Sequence, residues 1–132
     1  MKHPPTFIII DDDPINNFIF KELVKHAVKT PNIVLDFTAP EKGLEYITSE
    51  YQNHPENHPT ALFLDINMPT MSGWEFLEKF CKLNENIKKM FSIFIMSSSI
   101  NPLDKKQADS NSCVTGFITK PISEDFLSKI YK

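Results

Sequence analysis

The stretch Thr6-Phe7-Ile8-Ile9-Ile10-Asp11-Asp12-Asp13-Pro14 decides the fold. Four large apolar side chains in succession, with no polar alternation, suit a strand buried on both faces, as inside a parallel sheet. Three carboxylates end the run. Asp13 then suits a helix cap and Pro14 the first helical position. Ile15, Phe18, Ile19 and Leu23 follow at helical spacing and mark the expected apolar stripe, which leaves Phe20 beside it and partly exposed.

Outward from this unit the pattern repeats. Ile33 to Phe37 reads as a second strand, and Thr38-Ala39-Pro40-Glu41 as a capping box that opens a helix through Leu44 and Ile47. The polar stretch from Ser49 to Pro59, with two prolines and two histidines, reads as an exposed loop. Ala61-Leu62-Phe63-Leu64 forms a third strand ending on Asp65. After a tight loop from Ile66 to Met71, Ser72-Gly73-Trp74-Glu75 caps a helix carrying Phe76, Leu77, Phe80 and Leu83. Ser92 to Met96 is the fourth strand, and Asn101-Pro102 with Asp104 opens a short polar helix. Gly116-Phe117-Ile118 is the fifth strand, and Ser123-Glu124-Asp125 caps the last helix. Five such units predict one α/β domain over residues 1–132, an open, doubly wound, five-stranded parallel sheet with five helices on its two faces.

Composition excludes several classes. The chain has 132 residues, 41% hydrophobic and 23% charged, and its net charge of −3 comes from 14 basic against 17 acidic residues. A basic surface for nucleic acid or anionic membrane is not expected. No apolar run approaches the roughly 18–20 residues of a membrane span, and Met1-Lys2-His3-Pro4-Pro5 lacks the apolar core of a signal peptide. A cytoplasmic protein is expected. Cys81 and Cys113 are too few for a disulfide framework and share no metal-type spacing, so free thiols in a reducing cytosol are expected. His54 and His58 have a ligand-like spacing, but Pro55 and Pro59 keep them off one helical face, which favours surface histidines.

In doubly wound sheets ligands sit at the carboxyl ends of the strands, and the reactive residue types cluster there. Asp11, Asp12 and Asp13 follow strand one, Asp65 strand three, Ser97 and Ser98 strand four, and Lys120 strand five. Carboxylates gathered at one edge repel one another, and a hard divalent cation relieves that repulsion. An all-oxygen donor set suits Mg²⁺, which keeps waters and accepts phosphate oxygens. A lysine and a hydroxyl beside it are what a dianionic phosphoryl group needs. Asp13 is better read as a cap than as a ligand.

Four segments, Phe7 to Pro14, Leu64 to Gly73, Ile95 to Ser99 and Gly116 to Pro121, resemble the signature blocks of response-regulator receiver domains, in family order across nearly the whole chain. The resemblance implies a flavodoxin-like, CheY-like strand order 2-1-3-4-5 and a stand-alone receiver of two-component signalling without an output domain. It implies that Asp65 accepts a phosphoryl group from a phosphohistidine on a histidine kinase or a histidine phosphotransfer protein. Asp12 would ligate Mg²⁺ (with Mn²⁺ as a substitute) directly, Asp11 largely through water, and Asn67 through its backbone carbonyl. Ser97 and Lys120 would hold the phosphoryl group, and Lys120-Pro121 would be a cis peptide.

Ser97 with Phe117, where many relatives have tyrosine, would form the switch toward a downstream protein. Ser99 and Asn67 would influence the lifetime of the phosphorylated form. Asn16, Ile19 and Phe20 would contact the partner, and the domain would be a monomer or a weak phosphorylation-dependent dimer. It would not turn over as an enzyme, acting only on its own Asp65. Two other readings are a haloacid-dehalogenase-type phosphatase, disfavoured by the order of its acidic motifs, and a pseudo-receiver, disfavoured because acceptor, acidic pair and lysine are all present.

Overall fold

In the computed structural model, which describes residues 5–53, 59–98 and 101–130, strands and helices alternate along the chain. The strands β1 (Thr6–Ile10), β2 (Ile33–Phe37), β3 (Thr60–Asp65), β4 (Phe91–Ser97) and β5 (Gly116–Thr119) form one parallel sheet in the order β2-β1-β3-β4-β5. The order accounts for strand composition. All five residues of the inner strand β1 are buried, whereas the edge strands β2 and β5 contain no fully buried residue.

Successive side chains of the inner strands point to opposite faces. Ile8, Ile10, Leu62, Leu64, Ile93 and Ile95 enter one core with Ile47, Phe76 and Phe80. Phe7, Ile9, Phe63, Phe94 and Met96 enter the other with Phe20, Val24 and Leu127. The first core is covered by α2 (Pro40–Asn53) and α3 (Gly73–Phe80), the second by α1 (Pro14–Ala27) and α6 (Glu124–Ile130). In the second core Phe63 lies between Phe20 and Phe94, with ring centroids 4.8 and 5.2 Å away.

The local signals explain where helices begin. The Asp13 side chain accepts from the Ile15 N–H at the start of α1, and Ser72 with Glu75 forms a reciprocal capping box on α3. A sixth, single-turn helix, α4 (Glu85–Lys88), was not expected from the periodicity. The expected helix through Leu83 stops at Phe80, because i→i+3 bonds from Lys82 and Leu83 tighten the chain. Asn84 then caps a new turn by accepting from the Asn86 N–H. The remaining helix, α5 (Pro102–Ser110), is capped by Asn101.

Three expectations are corrected. On α1 the buried face is Asn17, Phe20 and Val24, whereas Ile15, Phe18 and Ile19 are 66%, 64% and 47% exposed. The helix carries two apolar stripes, and its orientation against the sheet selects the one through Phe20, which is 2% exposed. Second, residues 49–53 continue α2 instead of forming a loop. Tyr51 is the reason, since its ring is buried against Phe91 and its hydroxyl bonds Thr60 Oγ1 at 2.5 Å. His54, His58 and Ser99 lie outside the described residues. Third, Cys81 and Cys113 are not free thiols but a disulfide pair, with Cα atoms 6.4 Å apart. They are 32 residues apart in sequence, and the fold brings the end of α3 beside the loop before β5.

Candidate functional site

The strand order reverses between β1 and β3, and at that point open α/β sheets present ligand sites beyond their carboxyl ends. Asp11, just past β1, is buried, and so is Asp65 at the end of β3, whereas Asp12 is exposed. One carboxylate oxygen from each of the three lies within 4.8 Å of the others. Lys120, the residue after β5, reaches back across the edge. Its Nζ lies 2.7 Å from Asp11 Oδ2 and 3.5 Å from Asp65 Oδ2.

Asp11 is fixed on several sides. The Asp13 N–H donates to its Oδ1 (2.9 Å), and Asn16 Nδ2 and Lys120 Nζ donate to its Oδ2 (3.3 and 2.7 Å). Asn17 Nδ2 donates to its backbone carbonyl (3.1 Å). Asp65 receives the Asn67 N–H on Oδ1 at 3.2 Å. The chain beyond Asp65 is held by the Ile66 N–H on the Met96 carbonyl and the Gly73 N–H on the Ile66 carbonyl. Gly73 permits this approach: a Cβ there would lie 2.7 Å from Ile66 Cα and 2.8 Å from the Asp65 carbonyl oxygen.

Ser97 is fully buried at the end of β4, and its carbonyl accepts from the Lys120 N–H at 2.8 Å. That bond ties the serine and lysine segments together. The Lys120–Pro121 peptide is cis. Phe117 lies within β5, paired in register with Ile95 and packed partly against the α2/α3 core.

Burial raises the Asp65 carboxyl above the usual carboxylate range. The Asn67 N–H and the Lys120 charge oppose that rise, and the Asp11 charge adds to it. For Lys120, burial alone would lower the ammonium, but the Asp11 hydrogen bond and the two carboxylate charges outweigh it and raise it. The site is a compact cluster of three carboxyl groups with the Lys120 side chain beside two of them.

The donor set fits a hard divalent ion. Three carboxylate oxygens converge, Asp12 and Asn67 face solvent, and among the described residues no cysteine or histidine joins the cluster.

Of the residues expected at the site, Asp11, Asp12, Asp65 and Lys120 come together directly, and Asn67 and Ser97 lie on the same edge. Asn16 bonds Asp11, and with Ile19 and Lys120 it lines a hollow of about 100 Å³ beside that carboxylate. Phe20 forms only the floor of this hollow and presents no surface to a partner.

Sequence reasoning missed Asn17 and Gly73. Asn17 has a detectable signal, a polar residue three positions before Phe20 on the buried stripe. Gly73 has its place in the capping box and at the end of the Leu64 to Gly73 block. The Trp74 indole donates to Asp104 Oδ1 at 3.4 Å, linking the start of α3 to α5.

Residues 7–132 match the family described as the response regulator receiver domain. The chain is similar to a response regulator receiver protein from Dyadobacter fermentans (25% identity, TM-score 0.85, covering 96% of this chain and 94% of that one). Its fold is also that of a two-component response regulator from Cytophaga hutchinsonii (24% identity, TM-score 0.86, 99% and 96% covered). Among curated proteins, the sensor histidine kinase CheAY of Helicobacter pylori is 28% identical over 131 residues, 98% of this chain. This chain spans only 15% of that protein's length. With its CheY-like strand order and the acidic cluster at the switch point, the chain belongs to the response regulator receiver domain family.

Proposed function

We propose that Asp65 accepts a phosphoryl group from a phosphohistidine and that this event changes a protein-binding surface. The carrying observation is the convergence of three carboxylates within 4.8 Å with Lys120 Nζ 2.7 and 3.5 Å from two of them. In this reading an Asp65 oxygen attacks the phosphorus in line while the bond to the histidine nitrogen breaks, giving an acyl phosphate. Carboxylates are weak nucleophiles, so the fixed position of Asp65 and charge neutralisation by Lys120 lower the barrier. The Ser97 hydroxyl holds a phosphoryl oxygen.

Asp11, Asp12, Asp65 and the Asn67 carbonyl would hold Mg²⁺ or Mn²⁺. When bound, the ion shields phosphoryl charge and orients the oxygens. The Lys120 charge favours the ionised form of Asp65 against burial and the Asp11 charge, and the Asn67 N–H orients its carboxylate.

The likeness to a sensor histidine kinase supports a kinase or phosphotransfer protein as the donor. Exposed Ile15, Phe18 and Ile19, beside Asn16, support docking along α1. Among the described residues no helix is long and apolar enough to cross a membrane, which accords with a cytoplasmic place. Readout through Ser97 and Phe117 to a downstream protein completes the reading.

Acetyl phosphate with Mg²⁺, followed by intact-mass measurement, tests it. One phosphoryl adduct is expected on the unmodified chain and none on Asp65→Asn. An adduct that survives this substitution would sink the assignment.

A further inference from the structure

We propose that Cys81 and Cys113 form a second covalent-modification site, a reversible dithiol–disulfide pair that fixes the start of β5 to the end of α3. Cys81 caps α3, and Cys113 lies three residues before β5. Parallel strands and their return helices place both at the edge of the sheet opposite Asp65. Their Cα separation of 6.4 Å lies within the range a disulfide spans.

The surroundings suit exchange chemistry. Both cysteines are only half-buried. Cys113 opens on a cleft of about 350 Å³ lined also by Lys88, Lys89, Glu85 and Phe91. Lys88 donates to the Cys81 carbonyl at 2.9 Å and pairs with Glu85 at 2.8 Å. The thiolate is the form that attacks a disulfide, and the cleft leaves Cys113 open to a small reagent.

With a low-molecular-weight disulfide such as glutathione disulfide as oxidant, the Cys113 thiolate attacks one of its sulfurs and releases one thiol. Cys81 then attacks the mixed disulfide and releases the second. One disulfide bond breaks and one forms, and two protons and two electrons pass from the protein to two small thiols. Excess small thiol reverses both steps. In a reducing cytosol disulfides are transient and serve redox sensing, so reversibility rests on the cytoplasmic reading above.

The consequence lies in β5. Its four residues connect the tethered loop to Lys120, and they include Phe117. Thr115 pins the same loop to Ile93 through its N–H and hydroxyl. Oxidation therefore holds one end of the strand whose other end carries the lysine that pairs with Asp11 and Asp65.

The test starts from fully reduced full-length chain exposed to glutathione disulfide. Expected results are loss of both alkylatable thiols, a Cys81–Cys113 cross-linked peptide, and glutathione trapped on Cys113 in Cys81→Ser. Hydrogen exchange over residues 111–119 should be slower in the oxidised than in the reduced chain. Two thiols that remain alkylatable at full oxidant excess would overturn the site, as would exchange in that segment indifferent to oxidation state. Acetyl phosphate labelling of the same samples keeps the two readings apart. Normal labelling with no closure overturns only the redox site, and closure with no labelling overturns only the acceptor assignment.

Discussion

Lys120 Nζ sits 2.7 Å from Asp11 Oδ2 but 3.5 Å from Asp65 Oδ2. The lysine thus bonds Asp11 directly and leaves Asp65, the proposed acceptor, only loosely paired. A newly attached phosphoryl group at Asp65 would find the cation within reach, oriented by Asp11 Oδ2 and carried on a backbone that the Ser97 carbonyl holds through the Lys120 N–H.

Lys120→Ala is expected to destabilise the domain by about 2 kcal/mol without divalent ions, because Asp11 stays buried and loses its charged partner. Urea denaturation measures this, and added Mg²⁺ should recover part of the loss. Acceptance from acetyl phosphate should fall by about 10²-fold, as for loss of a preorganised electrostatic group.

Asp65 gives a pH signature of unusual sign. Burial raises its folded-state pKa, so in the window above the ordinary carboxylate value of 3.8 the folded chain binds more proton than the unfolded one. This group's contribution to stability therefore falls as pH rises through that window. Asp65→Asn should raise the Tm at pH 7, and the gain should vanish on acidification below the ordinary carboxylate range. Lys120, raised above 10.5, contributes stability that is fully present at neutral pH and lost only as pH rises through its folded value. Thermal melts of both chains across pH check the sign; a gain that grows on acidification would contradict it.

The two apolar stripes of α1 should separate cleanly on substitution. Phe20→Ala is expected to cost about 3–5 kcal/mol, because it opens a cavity against Phe63. Phe18→Ala, at a position 64% exposed, should stay within about 0.5 kcal/mol. Phosphotransfer from a cognate donor should respond in the opposite order, slowing with Phe18→Ala while the fold is kept.

Gly73→Ala should cost about 1–3 kcal/mol and slow acceptance at Asp65, since the added methyl meets backbone at Ile66 and Asp65. Gly43→Ala makes the comparison. There the nearest atom is the tip of the Ile10 side chain at 2.7 Å, which can move, so a smaller loss without an effect on acceptance is expected.

Reducing the Cys81–Cys113 bond releases a loop spanning a 32-residue separation, which should lower stability by about 3 kcal/mol, on the order of 10 °C in Tm. Calorimetry with and without reductant checks this, with Cys81→Ser as the chain that should not respond.

Much of this was legible along the chain. The unbroken apolar run Phe7 to Ile10 marked an inner strand because only burial on both faces tolerates it. Asp11, Asp65 and Lys120 were legible because reactive residues in such sheets follow strand ends. Helix starts at Asp13 and Ser72 were legible because capping is a local hydrogen bond. The face of α1 was not, since Phe18 and Phe20 both fit a helical stripe and nothing local ranks them. Residues 49–53 misled because polar composition suggested a loop, while one buried tyrosine bonded to Thr60 keeps them helical.

By itself, then, the sequence determined the strands, the helix starts and the residue types at the carboxyl edge, because periodicity, capping and turn chemistry act over a few neighbouring residues. Tertiary structure alone decided which stripe of α1 is buried, that Asn17 and Gly73 support the acidic cluster, and that Cys81 meets Cys113. These are contacts between segments distant in the chain. They depend on how each helix is rotated against the sheet and on which ends the crossovers bring together, and no local pattern records that.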